Sequence, residues 1–267
     1  MRIDLRLCFW RGVGTAVERR SRLPPFFSRG SDLWCGDGDG HFLRRCHLLL
    51  ADRRHEPLAA VAATCRAASA EQAAVIRTAA CDVTDKAQVV DAVAAADAVA
   101  ASASSPTAAA TILVNCAGIT RDARLSDLSE TAWDDVLDVN LKGTFLACQA
   151  FCRPARLASL LGGSGGADAG GGSIVNIGSI VSEYGNIGQA NYAASKGGVV
   201  GLTRSLAKEM AALSRKEGGA ARGDGGAGGH EERERAPPVV RVNCIQPGDS
   251  RTRSSRNASG AALATFL

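Results

Sequence analysis

Residues 173–196, SIVNIGSIVSEYGNIGQANYAASK, join a strand-like run to a helical pattern and decide the fold. The β-branched run at 174–177 is typical of a buried strand that ends just before Ser179. Tyr192 and Lys196 are four residues apart, so on a helix they share one face. The strand end then places a hydroxyl beside a phenol and an ammonium group. Taken alone, the Tyr192–Lys196 pair is more typical of a solvent-facing pair on an amphipathic helix.

Strand-like and helical segments alternate along the rest of the chain, as a doubly wound parallel sheet requires. The predicted strands cover 46–51, 75–81, 111–114, 173–177 and 239–245. The predicted helices cover 55–70, 86–100, 131–151 and 191–213. The last helix has one apolar face, because apolar side chains repeat at steps of three or four residues. We therefore predict the α/β class, with ligands bound at the carboxyl ends of the strands.

Composition indicates one large α/β domain and excludes several functions. The chain has 267 residues, of which 46% are hydrophobic, enough for a single core. A net charge of +4 without a basic, aromatic-rich stripe predicts no nucleic-acid partner. No apolar run is long enough to predict a membrane span. The nine cysteines lack paired metal-ligand spacing, which predicts a reducing compartment, no disulfide framework and no metal site.

Three further motifs occur in a fixed order. NCAG at 115–118 follows an apolar run, DVNLKGTF covers 138–145, and RVNCIQPGDSRT covers 241–252. Together with Ser179, Tyr192 and Lys196, this order resembles the short-chain dehydrogenase/reductase family over roughly residues 47–252. The resemblance implies a Rossmann-like sheet and an NAD(H)-dependent oxidoreductase that interconverts a secondary alcohol and a ketone.

The resemblance also implies a catalytic set. Ser179 orients the carbonyl or hydroxyl of the substrate, and Tyr192 transfers the proton. Lys196 binds the nicotinamide ribose and is expected to lower the pKa of Tyr192 by placing positive charge nearby. Asn140 positions a water molecule that relays protons to Lys196. No metal is needed for these steps.

Cofactor contacts are expected at the strand ends. Asp52 closes the second predicted strand, where a carboxylate accepts ribose hydroxyls and repels a 2′-phosphate. Arg53 and Arg54 next to it would favour NADP, so the sequence contains features of both cofactor preferences. We predict NAD because Asp52 occupies the last position of the strand. Asp82 is expected either to bind the adenine amine or to cap a helix. The full predicted set is Gly12, Gly14, Asp52, Asp82, Val83, Asn115, Ala117, Gly118, Tyr192, Lys196, Pro247, Gly248 and Thr252.

The amino-terminal region departs from the family pattern. Residues 2–7 alternate as a first strand does, and 7–14 align with the glycine-rich phosphate loop. Only Gly12 and Gly14 of the loop glycines remain, and Cys8 stands where the pattern has a glycine. The first thirty residues also contain seven arginines, which faintly resembles a mitochondrial presequence. By resemblance we expect the mitochondrial matrix, with the cytoplasm as the alternative.

A single domain is predicted over 1–252, with insertions near 21–45, 162–172 and 217–238. Residues 253–267 do not resemble the family, so the last strand of the sheet is expected to be missing and 239–245 to form an edge. A homo- or heterotetramer of the family type is expected, with an incomplete interface.

Two functions follow from the resemblance. The first is oxidation and reduction of 3-hydroxyacyl and 3-oxoacyl thioesters and of 17β-hydroxysteroids such as estradiol, in fatty acid and steroid metabolism. The alternative is a catalytically inactive splice product, or a non-catalytic subunit that associates with an intact 3-oxoacyl carrier-protein reductase. The catalytic set favours the first, and the altered glycine loop favours the second.

Overall fold

The computed structural model describes residues 5–12, 46–68, 75–103, 109–161, 171–220 and 240–247. The strands are β1 (Leu5–Gly12), β2 (Cys46–Asp52), β3 (Ile76–Ala80), β4 (Ile112–Gly118), β5 (Gly172–Ile177) and β6 (Val240–Ile245). The helices are α1 (His55–Ala68), α2 (Lys86–Ala103), α3 (Glu130–Leu137), α4 (Gly143–Phe151), α5 (Pro154–Leu161), α6 (Val181–Tyr184) and α7 (Ala190–Ala220), with a π-helical turn at Asp138–Lys142.

The sheet has the order β3-β2-β1-β4-β5-β6, and β2–β3, β4–β5 and β5–β6 pair in parallel. Each of the five strands predicted from 46 onward is confirmed, and β4 continues to Gly118, past its predicted end. β2 is buried on both faces, as is typical of parallel sheets with helices on each side. Leu48 and Leu50 pack in one apolar cluster with α1, while Leu49 and Ala51 pack in the main core. The predicted α/β, Rossmann-like architecture is confirmed.

The direction of β1 corrects the prediction for the amino-terminal region. β1 pairs antiparallel with both β2 and β4, so the sheet is mixed. Gly12 lies opposite Cys46, at the start of β2, roughly 20 Å along the strand from Asp52. Residues 7–12 therefore form a strand, and their assignment to a phosphate loop is wrong. The prediction that Gly12 binds the cofactor is wrong for the same reason. Gly14 lies outside the described residues.

The segment predicted as one helix at 131–151 is divided in three. α3 begins after Ser129, whose side chain accepts a hydrogen bond from the Ala132 amide. The π-helical turn then inserts an extra residue into the helical path, which is frequent at functional sites. α4 begins at Gly143, where a Cβ would come within 2.7 Å of Val83 Cγ2. Only glycine lets the helix approach the β3–α2 connection this closely. The sequence did not predict α5.

The predicted insertions lie mostly outside the described residues. α7 extends to Ala220, so the first residues of the insertion placed at 217–238 are helical. Gly172 belongs to β5, which shortens the insertion placed at 162–172. Residues 21–45 and 253–267 are outside the described part. Within that part, β6 pairs only with β5.

Candidate active site

The ends of β5 and α7 bring Ser179, Tyr192 and Lys196 together. All three side chains are buried, with Lys196 only 1% exposed. The side chain of Ser179 lowers the pKa of Tyr192 through a hydrogen-bonding interaction, so the two side chains are neighbours. Lys196 Nζ lies 5.8 Å from the centroid of the Tyr192 ring. The predicted grouping of hydroxyl, phenol and ammonium is thus present at the carboxyl end of β5.

The ammonium group of Lys196 is held by the backbone of β5. Its Nζ donates a hydrogen bond to the Ile177 carbonyl over 2.7 Å. Burial lowers the pKa of Lys196 from 10.5 to about 8, and the neighbouring Cys116 and Cys244 side chains act in the opposite direction. Lys196 is therefore a buried cation whose proton is lost more readily than that of an exposed lysine.

The protonation of Tyr192 differs from the expectation. Burial raises the pKa of Tyr192, and the nearby carboxylate of Asp122 adds to the rise, while the hydrogen bond with Ser179 opposes it. The predicted lowering of this pKa by Lys196 is wrong for this structure, because the desolvation of the phenolate outweighs the favourable interactions. Tyr192 is protonated at neutral pH.

Asn140 connects the loop after β4 to α7. It is fully buried in the π-helical turn. Its Oδ1 accepts from the Ile119 amide over 2.8 Å, and its Nδ2 donates to the Ile119 carbonyl and to Ser195 Oγ, each over 3.0 Å. Gly118 passes close to this side chain, since a Cβ there would lie 3.3 Å from Asn140 Oδ1 and 3.5 Å from Lys196 Nζ. The amide thus holds the site together, and its water relay stays a prediction.

Asn191 is a positioning residue that the sequence reasoning missed. Its Nδ2 donates to the carbonyls of Arg121 and Ala132, over 3.0 and 3.1 Å, and its Oδ1 accepts from the Tyr192 amide over 2.8 Å. The side chain is fully buried. These bonds fix the first turn of α7 against α3 and the 121 loop. An asparagine at the predicted helix start, directly before Tyr192, was the available signal.

Asp52 and Asp82 are found where the sequence placed them, at the ends of β2 and β3. Asp52 Oδ1 accepts from the Arg54 amide over 2.8 Å and lies 3.5 Å from Arg54 Nε. Asp82 Oδ1 accepts from the amide and the hydroxyl of Thr84, over 2.9 and 2.7 Å. Asp82 therefore stabilises its own turn, and Asp85, which accepts from the Ala87 amide, is the cap of α2. The capping alternative for Asp82 is therefore wrong, and its contact with the adenine amine stays a prediction.

The remaining predicted cofactor residues lie in different parts of the structure, and two lie outside its described part. Asn115 lies in the core, where its Nδ2 donates to Asn176 Oδ1 over 2.8 Å and to Cys148 Sγ over 3.3 Å. The Pro247 carbonyl accepts from the Ile180 amide over 3.1 Å, which ties the end of β6 to the segment after Ser179. Val83 is buried beneath α4, and Ala117 is half-buried on β4. Gly248 and Thr252 lie outside the described residues.

A dinucleotide fits part of this arrangement. Gly118 leaves the space above Asn140 and Lys196 without a side chain, and Tyr192 and Lys196 offer a hydroxyl and a cation beside it. Asp52 offers a carboxylate at the same edge of the sheet. The reversed direction of β1 removes Gly12 from that edge. The residues expected at the two riboses thus lie at this edge of the sheet, whereas Gly12 does not.

Neither a metal-binding group nor a membrane-spanning helix is found in the described ranges. No group of three or more His, Cys, Asp or Glu side chains there could hold a metal ion. Nor does any described helix combine the length and the apolar character that crossing a membrane requires.

The fold and site define a Rossmann-like α/β protein with a Ser–Tyr–Lys group at the carboxyl edge of its sheet. The sequence pattern of the family described as "short chain dehydrogenase" matches residues 42–214. The chain belongs to this short-chain dehydrogenase family. In structure, it is similar to a Sinorhizobium meliloti protein provisionally described as a short-chain alcohol dehydrogenase. That match has a TM-score of 0.54 and 29% identity, and covers 79% of this chain and 65% of the other.

Curated relatives match over a shorter region. A (3R)-3-hydroxyacyl-CoA dehydrogenase from Rattus norvegicus is 54% identical over 100 residues, which are 38% of this chain and 35% of the relative. The Homo sapiens protein of the same description is 51% identical, over 38% of this chain and 34% of the relative. The 3-oxoacyl-[acyl-carrier-protein] reductase FabG of Thermotoga maritima is 49% identical, over 38% of this chain and 36% of the relative. The chain thus spans about a third of the length of these relatives.

Proposed function

We propose that this protein is an NAD(H)-dependent oxidoreductase that interconverts a secondary alcohol and a ketone. The observation that carries the proposal is the buried group of Ser179, Tyr192 and Lys196, in which two hydroxyls and a cation converge. Family membership supports the same reaction type. NAD is favoured over NADP because Asp52 ends β2 and would repel a 2′-phosphate.

The chain's own residues supply the proton chemistry. A bound nicotinamide dinucleotide provides or accepts the hydride. Ser179 and Tyr192 present hydroxyls that can hold the substrate oxygen. Tyr192, with its raised pKa, holds its proton at neutral pH and is suited to donate it as a ketone is reduced. Lys196, with a pKa of about 8, is the neighbouring cation, and its proposed role is to bind the nicotinamide ribose.

The proposed substrates are 3-hydroxyacyl and 3-oxoacyl thioesters, with 17β-hydroxysteroids as further candidates. The names of the curated relatives support the thioesters. Exposed apolar side chains flank the site, with Leu125 76% and Ile187 88% exposed. The two segments that carry them are joined by a hydrogen bond from the Ala123 amide to the Gly188 carbonyl. An apolar acyl chain or a steroid would cover this surface.

The test is turnover of a (3R)-3-hydroxyacyl-CoA with NAD, followed by the absorbance of the reduced nicotinamide. Tyr192→Phe should lower the rate by two or more orders of magnitude, because the proton donor is removed. Tyr184→Phe is the matched control, since Tyr184 is the other of the two tyrosines and is exposed. A Tyr192→Phe protein as active as the wild type would contradict the assigned role.

A second candidate is a non-catalytic protein that associates with an intact 3-oxoacyl carrier-protein reductase. The observation that favours it is the antiparallel β1, which places Gly12 at the opposite edge of the sheet from Asp52. Titration with NADH, monitored by nicotinamide fluorescence, distinguishes the two. Absence of both binding and turnover would favour the second candidate. The tetrameric assembly and the location in the mitochondrial matrix stay predictions by resemblance.

A further inference from the structure

A line of hydrogen-bonded, buried polar side chains joins β5, the strand that precedes Ser179, to α7, the helix that carries Tyr192. Asn115 Nδ2 donates to Asn176 Oδ1 over 2.8 Å, and Asn176 Nδ2 donates to Thr203 Oγ1 over 2.9 Å. Asn176 and Thr203 are fully buried. The line therefore runs from β4 through β5 into α7.

Each bond in this line has a defined donor. Thr203 Oγ1 gives its only proton to the Val199 carbonyl, over 2.7 Å, so toward Asn176 it can only accept. Asn115 donates to Asn176 Oδ1, which turns the Asn176 amide nitrogen toward Thr203. Reversing one group would place two acceptors face to face in the core, which is costly without water.

The hydrogen bond between Asn176 and Thr203 is the first of three successive contacts between β5 and α7. Because α7 returns antiparallel to β5, successive positions on the strand meet earlier positions on the helix. Separations of four and seven residues keep the three helical side chains on one face. The contacts are Asn176 with Thr203, the Ile177 carbonyl with Lys196, and Ser179 with Tyr192.

The first turns of α7 are also held by hydrogen bonds of Asn191, Ser195 and Lys196, whereas the helix around Thr203 packs mainly through apolar side chains. Val199 and Val200 of α7 pack with Cys244 of β6 and with Leu141, and apolar contacts of this kind tolerate small displacements along the helix axis. A buried hydrogen bond has a narrow range of distances and angles. We propose that the hydrogen bond between Asn176 and Thr203 is a positioning contact, which sets the place of α7 along β5 and so keeps Tyr192 beside Ser179. The inference deepens the proposed function and rests on it only for the rate measurement.

The test titrates Tyr192 directly. In a Tyr184→Phe background Tyr192 is the only tyrosine, because the chain has two, and its ionisation is followed by tyrosinate absorbance. Thr203→Val keeps the shape of the side chain and removes the hydroxyl. We expect the titration of Tyr192 to move to higher pH, because the hydrogen bond with Ser179, which lowers the pKa of Tyr192, is weakened. Lys196 and Asp122 also face the phenol, and both are unchanged in the variant.

Two controls separate positioning from general loss of stability. Thr203→Ser retains the hydroxyl and should leave the titration of Tyr192 at its original pH. Met210→Ala removes a buried side chain from the same face of α7, two turns further on, and should lower the melting temperature without moving the titration. A shift in Thr203→Val that Met210→Ala reproduces at equal loss of stability would overturn the proposal.

Turnover adds a second measurement. With the thioester substrate, Thr203→Val should lower kcat about tenfold with little change in KM, because a small misplacement of the reacting groups slows the reaction. If Thr203→Val does not fold, Asn115→Ala removes the donor that orients Asn176 and should shift the titration in the same direction. No shift in the variant that folds overturns the proposal. A wild-type protein without turnover contradicts the proposed function alone, since the titration still decides the positioning role.

Discussion

Replacing Lys196 by methionine tests whether a buried ammonium group reduces the stability of the fold. Lys196 is 1% exposed, and burial lowers its pKa from 10.5 to about 8. The folded protein therefore releases this proton at a lower pH than the unfolded chain. A pKa difference of this size favours unfolding by about 3 kcal/mol while both states carry the proton.

The pH dependence has a definite sign. Between the folded pKa of about 8 and the ordinary value of 10.5, the unfolded chain binds more protons, so the free energy of unfolding rises with pH. We expect the cost of Lys196 to be about 3 kcal/mol at pH 7 and about 1 kcal/mol at pH 10. The raised pKa of Tyr192 acts in the opposite direction above its unfolded value, but both proteins contain this residue, so most of its effect cancels in the difference.

The measurement is urea unfolding of the wild type and Lys196→Met at several pH values. Loss of the hydrogen bond to the Ile177 carbonyl adds an offset in the variant that does not depend on pH. Between pH 7 and pH 10 the wild type should gain about 2 kcal/mol relative to Lys196→Met. Lys142→Met is the matched control, because the Lys142 side chain is 55% exposed, and it should show no such trend. A difference between wild type and Lys196→Met that stays constant over this range would refute the reasoning.

Two further predictions concern packing and cofactor choice. Gly143→Ala should lower the free energy of unfolding by about 1–3 kcal/mol, since its Cβ would meet Val83 Cγ2 at 2.7 Å. Gly201→Ala, at a helical position with open space, should raise it by up to about 1 kcal/mol, and urea midpoints that rank the pair in reverse would contradict the packing argument. The wild type should bind NADH at least tenfold better than NADPH, a gap of about 1.4 kcal/mol, as measured by nicotinamide fluorescence. Asp52→Ser should shrink or invert that gap by freeing Arg54 for the 2′-phosphate, and equal affinities in the wild type would contradict the role of Asp52.

Local patterns were sufficient for most of the sheet and for the composition of the site. Apolar runs at 46–51 and 173–177 predicted β2 and β5, because a strand buried on both faces needs such a run whatever surrounds it. The spacing of Tyr192 and Lys196 predicted a shared helical face, because the helical period depends only on the backbone. Ser179 followed from the strand end before it. These inferences depend on interactions between residues that are close in sequence, so the local order of residue types is enough to predict them.

Long-range contacts decided what the local patterns left open. The alternation at the amino terminus is compatible with a strand of either direction, and only pairing with β2 and β4 made β1 antiparallel. The division of 131–151 depended on the π-helical turn, in which Asn140 bonds to Ile119 and Ser195, far from it in sequence.

The protonation of the site was likewise decided by tertiary structure. The spacing of Tyr192 and Lys196 predicted a lowered pKa for the phenol, since it shows the nearby charge and not the burial. In the folded protein burial raises the pKa of Tyr192 and lowers that of Lys196. The sequence by itself determined which groups meet at the end of β5. Their distances and proton affinities depend on elements that pack around them from distant parts of the chain, and only the tertiary structure decided those.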